Sequence, residues 1–376
     1  MLTWLEISKK NLLFNIAQLR KVIGTKVKLL AVIKANAYGH GVKEVGNIIK
    51  NKVDWFGVAN AYEALLLRDQ KINNPILVLS YYENESYRLT QAIQKKISLV
   101  VYTKDQVLLL DSIAKKLKKK AFVHLKIDSG TSRVGILPNE VERFVSYIKK
   151  CKHIEIEGVF SHFSDSEADL KYSKKQLTIF KNALEKVRSS YPLALGHMAC
   201  SAATVVIPSS HLNLARTGIM IYGLHPSKKT NHSPGKKDYI GQNIRLKPVL
   251  TWKTKIMQVK NIPAGSYVGY GRTFKTKRET KLVVLPVGYA DGYDRGLSNV
   301  GQVLISGKRA RVIGRICMNL MMIDATGVPA KAGQEVVLIG RQGKQQIFAE
   351  DSAEKLGTIN YEVVTRISWT LPRIVK

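Results

Sequence analysis

Acidic residues are scarce in this 376-residue chain, with 28 Asp and Glu against 60 Lys and Arg and a formal net charge of +32. A surplus of that size raises nucleic acid as a partner. The lysine runs at 115–120 and 228–229 carry no interleaved aromatics, and the first reads as the exposed face of a helix. Lysines are spread along the whole sequence, which describes a generally cationic surface and no specific nucleic-acid site. Cysteine is also rare. Cys151, Cys200 and Cys317 are odd in number and far apart, which argues against a disulfide framework and a zinc site and fits a reducing cytoplasm. No apolar run approaches the roughly 20 residues needed to span a bilayer. The first residues lack a basic segment followed by an apolar core, so neither a signal peptide nor a membrane partner is expected. Finally, no Gly-rich phosphate fingerprint follows any strand-like run, which disfavours a doubly wound sheet.

What is present is an ordinary globular composition, 45% hydrophobic with a mean hydropathy of −0.09, in a chain long enough for two domains. Strand-like runs at 27–33, 55–59, 75–79, 97–101, 121–127, 155–161, 195–199 and 212–221 alternate with helical periodicity, as at 11–22 behind a possible Ser8 N-cap. Eight strands with helix-sized connections predict an α/β fold built on a (β/α)8 TIM-type barrel. Composition changes over the polar segment 227–241, the best linker, so the barrel is expected over 1–235 and a second domain over 236–376. That second domain reads as mostly β, with runs at 249–259, 281–285, 302–305, 311–316, 320–323 and 335–339, and one helix at 349–356. The sequons at Asn84 and Asn231 carry no meaning in a cytoplasmic chain.

Chemistry-bearing residues gather at the expected C-terminal strand ends, where such barrels build their sites. They are Lys34, Lys126 with Asp128 and Arg133, His162, His197 with Ser201, and Arg216 with Gly218. Desolvation at such a tip lowers an amine's pKa and frees its lone pair for Schiff-base chemistry. The segment LARTGI at 214–219 has the makings of a phosphate cradle, to which Ser201 and the Tyr38 phenol would add donors.

Six segments, VIKANAYGHG (32–41), NLARTGIMIYG (213–223), GYGRTF (269–274), GYADG (288–292), GRICM (314–318) and GTINYE (357–362), together resemble bacterial alanine racemases. The likeness runs in order from about residue 5 to Arg373. It implies an N-terminal barrel, a C-terminal β domain and pyridoxal 5′-phosphate (PLP). Lys34 would hold PLP covalently and act as one catalytic base, and Tyr270 would be the opposing base, supplied by the partner subunit of a homodimer. Tyr38, Ser201, Tyr361, Gly218 and Ile219 would hold the phosphate. Arg216 would meet the pyridine nitrogen with His162 in the same network, while Arg133 and the partner-supplied backbone N–H of Met318 would orient the substrate carboxylate. Lys126 matches a family lysine that is often carbamylated. Glu167, Tyr289, Arg295, Arg315 and Ile359 would line the entrance.

The chemistry gives reasons for this set. PLP draws electrons from Cα, so the protein mainly positions it and tunes its ring. An arginine at the pyridine nitrogen leaves that nitrogen unprotonated and the ring a weaker electron sink. Racemisation needs one base on each face of Cα. There are three departures from the family pattern: Cys200 replaces Asn, Asn319 replaces Asp, and the pair Thr131-Ser132 replaces Met-Gly. The second bears on substrate range. The expected activity is interconversion of L- and D-alanine for peptidoglycan, with a serine or broad-specificity racemase, a PLP-dependent decarboxylase and a non-catalytic PLP carrier as alternatives.

Overall fold

A computed structural model describes residues 1–82, 86–231 and 240–376, and the chain forms two compact units. One comprises 13–37 and 45–247; the other comprises 1–12, 38–44 and 248–376. The expected boundary at 235/236, most of the 227–241 segment and the Asn84 sequon lie outside the described residues.

The first unit is a ring of eight parallel strands: Lys28–Val32, Trp55–Val58, Ile76–Val78, Ser98–Val101, Ala121–Lys126, Ile154–Phe160, Leu195–His197 and Leu214–Thr217. They pair in chain order, and the last returns to pair with the first, Leu30 opposite Arg216. Two backbone hydrogen bonds join the remaining edges, from Asn213 N–H to Gly196 O and from Arg216 N–H to Ala199 O, so no edge strand is left open. Leu29, Leu30, Ala31, Leu77 and Val100 are wholly buried, as expected of parallel strands covered on both faces. The connecting helices carry the caps their sequences specify. Ser8 Oγ accepts from Asn11 N–H ahead of Lys9–Ile23, and Thr103 forms a capping box with Gln106. The expected run 212–221 is interrupted at Gly218, where the strand gives way to a 3₁₀ turn over Ile219–Tyr222.

The second unit is a largely antiparallel sheet, and its outline differs from the sequence expectation in several places. The 249–259 run is two strands, Leu250–Lys255 and Gln258–Ile262. The strand expected at 311–316 runs over Lys308–Val312, paired with Gln302–Ile305. A second helix, Asn360–Thr365, follows Ala349–Leu356. Most consequentially, Thr3–Ile7 belongs to this sheet, antiparallel to Leu250–Lys255 and parallel to Arg373–Val375. The segment 38–44 joins the same unit, where Arg373 Nη2 donates to Gly39 O at 2.9 Å. The barrel unit therefore does not span 1–235 without interruption. Among the described residues no helix is long and apolar enough to cross a membrane.

Candidate active site

Lys34 lies two residues past the end of the first barrel strand, and the backbone after it makes a left-handed helical turn: Ala35, Asn36, Ala37 and Tyr38 all have φ between 52° and 54°. Left-handed helix costs an L-residue roughly 1–2 kcal/mol, so four in a row persist only where surrounding groups impose the shape. Glu63 supplies part of that hold. Its Oε1 accepts the Ala35 N–H at 2.6 Å and its Oε2 the Ala59 N–H at 2.8 Å, while Asn60 caps the helix Ala61–Asp69. Sequence reasoning missed Glu63, although Asn60 with Glu three positions later is a recognisable helix-start signature. Burial lowers the Lys34 amine below its ordinary pKa, the Arg133 cation lowers it further, and Glu63 opposes both. The lysine is thus biased towards the free amine that Schiff-base formation requires.

The cationic residues expected at the other strand ends share this neighbourhood. Lys126 is buried, with its Nζ 4.8 Å from the centre of the Phe160 ring. Burial and the charges of Arg216 and Arg133 push its amine well below the usual lysine range. His162 is held neutral for the same reasons, by burial and by Arg216, Lys126, Arg133 and Lys34. Asp128 Oδ1 accepts from the N–H groups of Gly130, Thr131 and Ser132, shaping the loop that carries the exposed Arg133. Burial works upward on that carboxyl, but the three N–H groups hold it below its ordinary value. One of the family departures, the Thr131-Ser132 pair, sits here. Thr131 Oγ1 donates to His162 O, and Ser132 occupies a φ of 53°, a conformation that glycine adopts at lower cost.

The two terminal nitrogens of Arg216 are committed to orientation. Its Nη1 donates to His197 Nδ1 and His197 O, both at 2.9 Å, and its Nη2 to Ser161 O at 2.7 Å and Met198 O at 3.2 Å, with His162 Nδ1 at 3.3 Å. These bonds do not use the Nε–H, which remains the donor available to a ring nitrogen. Burial lowers the guanidinium to about 10, so it stays charged at neutral pH. Beside it, Gly218 N–H donates to Ser201 Oγ at 2.8 Å, and the short turn Ile219–Tyr222 begins at this glycine. The neighbouring Thr217 Oγ1 is buried without a hydrogen-bond partner. Serine hydroxyl, backbone N–H groups at a turn start and an unpartnered hydroxyl form a donor set that suits a phosphate monoester. Cys200 precedes Ser201 as the helix N-cap without a side-chain cap bond, and its Sγ lies 3.5 Å from Ser166 Oγ.

The remaining expected residues belong to the β unit, except Glu167 in the barrel unit, whose carboxyl is raised mainly by burial. Tyr38 and Tyr361 face each other with ring centres 6.1 Å apart. Tyr270 is 72% exposed on a tight turn between Gly269 and Gly271, both at positive φ. A Cβ at Gly271 would stand 3.0 Å from the Arg315 guanidinium, so Arg315 lies against this turn. Tyr289 N–H donates to Cys317 O and Ala290 N–H to Met318 O, which puts Tyr289 beside Met318. Arg295 acts electrostatically on Cys317. One exposed surface of the β unit thus collects Tyr270, Tyr289, Arg295, Arg315 and Met318, with the exposed Asn319 next in the chain. Ile359, also exposed, precedes the helix that carries Tyr361.

Comparison with known proteins matches both halves of this arrangement. Residues 7–226 fit the family model "Alanine racemase, N-terminal domain" and 249–375 the model "Alanine racemase, C-terminal domain". The alanine racemase of Halothermothrix orenii is 41% identical over 100% of this chain and 97% of its own length. That of Methanococcus maripaludis is 38% identical over 99% of this chain and 98% of its own. Among solved structures, alanine racemase of Clostridium difficile 630 superposes with a TM-score of 0.92 at 36% identity, covering 100% of this chain and 96% of that one. The same protein in complex with cycloserine gives 0.89 at 34%, with coverage of 100% and 96%. Fold and relatives together define an isomerase built from a TIM-like barrel and a β domain. The chain belongs to the alanine racemase family.

Proposed function

We propose that this protein racemises alanine with PLP as its cofactor, and that the product serves peptidoglycan synthesis. The observation that carries this reading is Lys34. It is a lysine biased towards its free amine, on a constrained turn, in the same barrel unit as Arg216 and the Ser201–Gly218 donor set. These residues suit PLP: Lys34 for the aldehyde, Arg216 Nε–H for the ring nitrogen, and Ser201, Gly218 and Ile219 with Tyr38 and Tyr361 for the phosphate. When bound, PLP would supply the electron sink that makes the substrate Cα–H acidic.

The chain's own residues then manage one proton and one carboxylate. Lys34 Nζ takes or returns the Cα proton on one face, and the Tyr270 hydroxyl does so on the other. Arg133 and the Met318 N–H orient the substrate carboxylate. The exposure of Tyr270 and Met318 fits residues presented to a second copy of the chain, so the working form is a head-to-tail homodimer with shared sites. Lys126, its amine biased towards the free form by burial and by two arginines, has the reactivity to take up carbon dioxide, and the resulting carbamate would brace Arg133. Glu167, Tyr289, Arg295, Arg315 and Ile359 would border the entrance, and the compartment is cytoplasmic.

The test is exchange between enantiomers by purified protein with added PLP, using alanine, serine and lysine in parallel. Alanine is expected to be the best substrate, and a serine preference would overturn the substrate assignment. Release of carbon dioxide from an amino acid would replace racemisation with decarboxylation.

A further inference from the structure

Two buried histidines and a half-buried glutamate continue the row from Arg216. His197 Nε2 lies 2.8 Å from His124 Nδ1, and His124 Nε2, which makes no formed hydrogen bond, lies at 3.4 Å, in ion-pair range, from Glu157 Oε2. Ser98 Oγ donates to the same carboxylate oxygen at 2.5 Å. His124 and His197 are completely buried. We propose that Glu157 is a positioning residue for the reaction, fixing through His124 and His197 the nitrogen lone pair that receives the Arg216 guanidinium.

Both ends of the row dictate the same proton placement. A guanidinium can only donate, so His197 Nδ1 must offer a lone pair and the ring's single proton sits on Nε2. That proton points at His124 Nδ1, which must in turn be an acceptor, so the second ring also carries its proton on Nε2. There it faces Glu157, and an ionised carboxylate can only accept. Had either ring the opposite tautomer, N–H would meet N–H beside Arg216, in an interior where an unmade hydrogen bond is costly. Electrostatics agree: burial and Arg216 keep both rings neutral. Burial pushes the Glu157 carboxyl upward, but His124, Ser98 and Lys28 together hold it below its ordinary value.

The backbone makes room for this carboxylate. Pairing between Ala121–Lys126 and Ile154–Phe160 slips by one residue, from Val123 opposite Ile156 to His124 opposite Gly158, so Glu157 is the extra residue of a bulge. Bulges are rare between parallel strands, and they re-aim a side chain. The adjacent Gly158 has no alternative: a Cβ there would stand 2.4 Å from the His124 ring. Bulge, glycine and carboxylate all serve the placement of one imidazole. The consequence for the reaction rests on the PLP reading above, because it acts through the arginine assigned to the cofactor's ring nitrogen.

Neutron diffraction from deuterium-exchanged crystals of the full-length protein reads the tautomers whether or not PLP is bound. Deuterium is expected on Nε2 of both rings and absent from both Nδ1 atoms; deuterium on either Nδ1 would overturn the assignment. In PLP-loaded protein, E157L is expected to lower kcat about 10-fold or more with KM changed less than about twofold. It should also add a titration to the pH profile of kcat/KM as the rings lose their fixed protonation. E157Q keeps an acceptor oxygen and should recover most of the loss. A kcat for E157L within about twofold of the parent, or an E157Q as impaired as E157L, would refute the positioning role. Failure of the parent protein to racemise alanine would instead refute the proposed activity, and the neutron maps would still decide the tautomers.

Discussion

At the scale of single residues, the barrel interior concentrates groups that fold in an unusual protonation state. Lys34 and Lys126 are both biased towards the free amine. Between their lowered folded pKa values and the ordinary 10.5, the unfolded chain binds more protons than the folded one, so stability rises with pH there. Lys126→Met keeps the volume and removes the group. It is expected to flatten that rise and to stabilise the protein at pH 7 by about 1–3 kcal/mol. Denaturant melts from pH 7 to 10 measure both; an unchanged slope would mean that Lys126 is not the group behind the rise. The acid side mirrors this. His124, His162, His197 and His211 are all held below their ordinary 6.5, so acidification through that value lets the unfolded state take up protons that the fold refuses. Lys34→Ala addresses the chemistry itself. Adding PLP to that variant is expected to give no visible band from a lysine-bound cofactor, whereas a retained band would put the covalent link on another lysine.

At the scale of elements, the left-handed turn after Lys34 decides where the lysine points. Glu63 is expected to be its main local support, because its two oxygens bridge Ala35 and Ala59. Glu63→Ala should cost about 2–4 kcal/mol in stability and slow the capture of PLP by Lys34. Stopped-flow absorbance with a parallel melt separates the two effects, and normal values in both would show the turn to be held without it. Where the turn ends, Gly39 has φ +80°, and a Cβ there would stand 2.0 Å from Val364 O. Gly39→Ala is therefore expected to be among the most damaging substitutions in the chain, on the order of 4 kcal/mol or more.

Much of this was legible from pattern alone. Buried parallel strands read as short apolar runs, and the polar residues ending them stood out as a set. Lys34, Arg216 and Gly218 were visible because a lysine, an arginine and a turn-forming glycine are uncommon where strands finish. The left-handed backbone was not, because KANAY has the composition of an ordinary helix and its handedness comes from tertiary restraint. Glu157 and His124 escaped for a different reason: a one-residue slip between parallel strands leaves no periodicity that a sequence window can detect. Thr3–Ile7 was overlooked because five residues at a terminus become a strand only through partners near 250 and 374.

At the scale of the whole molecule, the two units are interleaved along the chain. The backbone passes between them at 12/13, 37/38, 44/45 and 247/248. A fragment ending at Lys247 keeps all eight barrel strands but strips Thr3–Ile7 of both sheet neighbours. It is expected to express as a largely insoluble product, since an unpaired edge strand invites aggregation. Further removal of 1–8 should improve solubility, and a soluble, monomeric 1–247 fragment would show that the strand is dispensable. The proposed head-to-tail dimer is tested at this scale too. Mixing inactive Lys34→Ala and Tyr270→Phe chains is expected to restore partial activity, and no recovery after verified chain exchange would argue against shared sites.

The interleaving also constrains how such a gene can change. A single recombination in the segment between the units would set a foreign sheet against a resident Thr3–Ile7 strand and a resident 38–44 segment. Arg373 would then have to find the carbonyl of Gly39 in a different lineage's turn. The first dozen codons and the last hundred or so are therefore bound to be inherited as one package, although most of the gene lies between them.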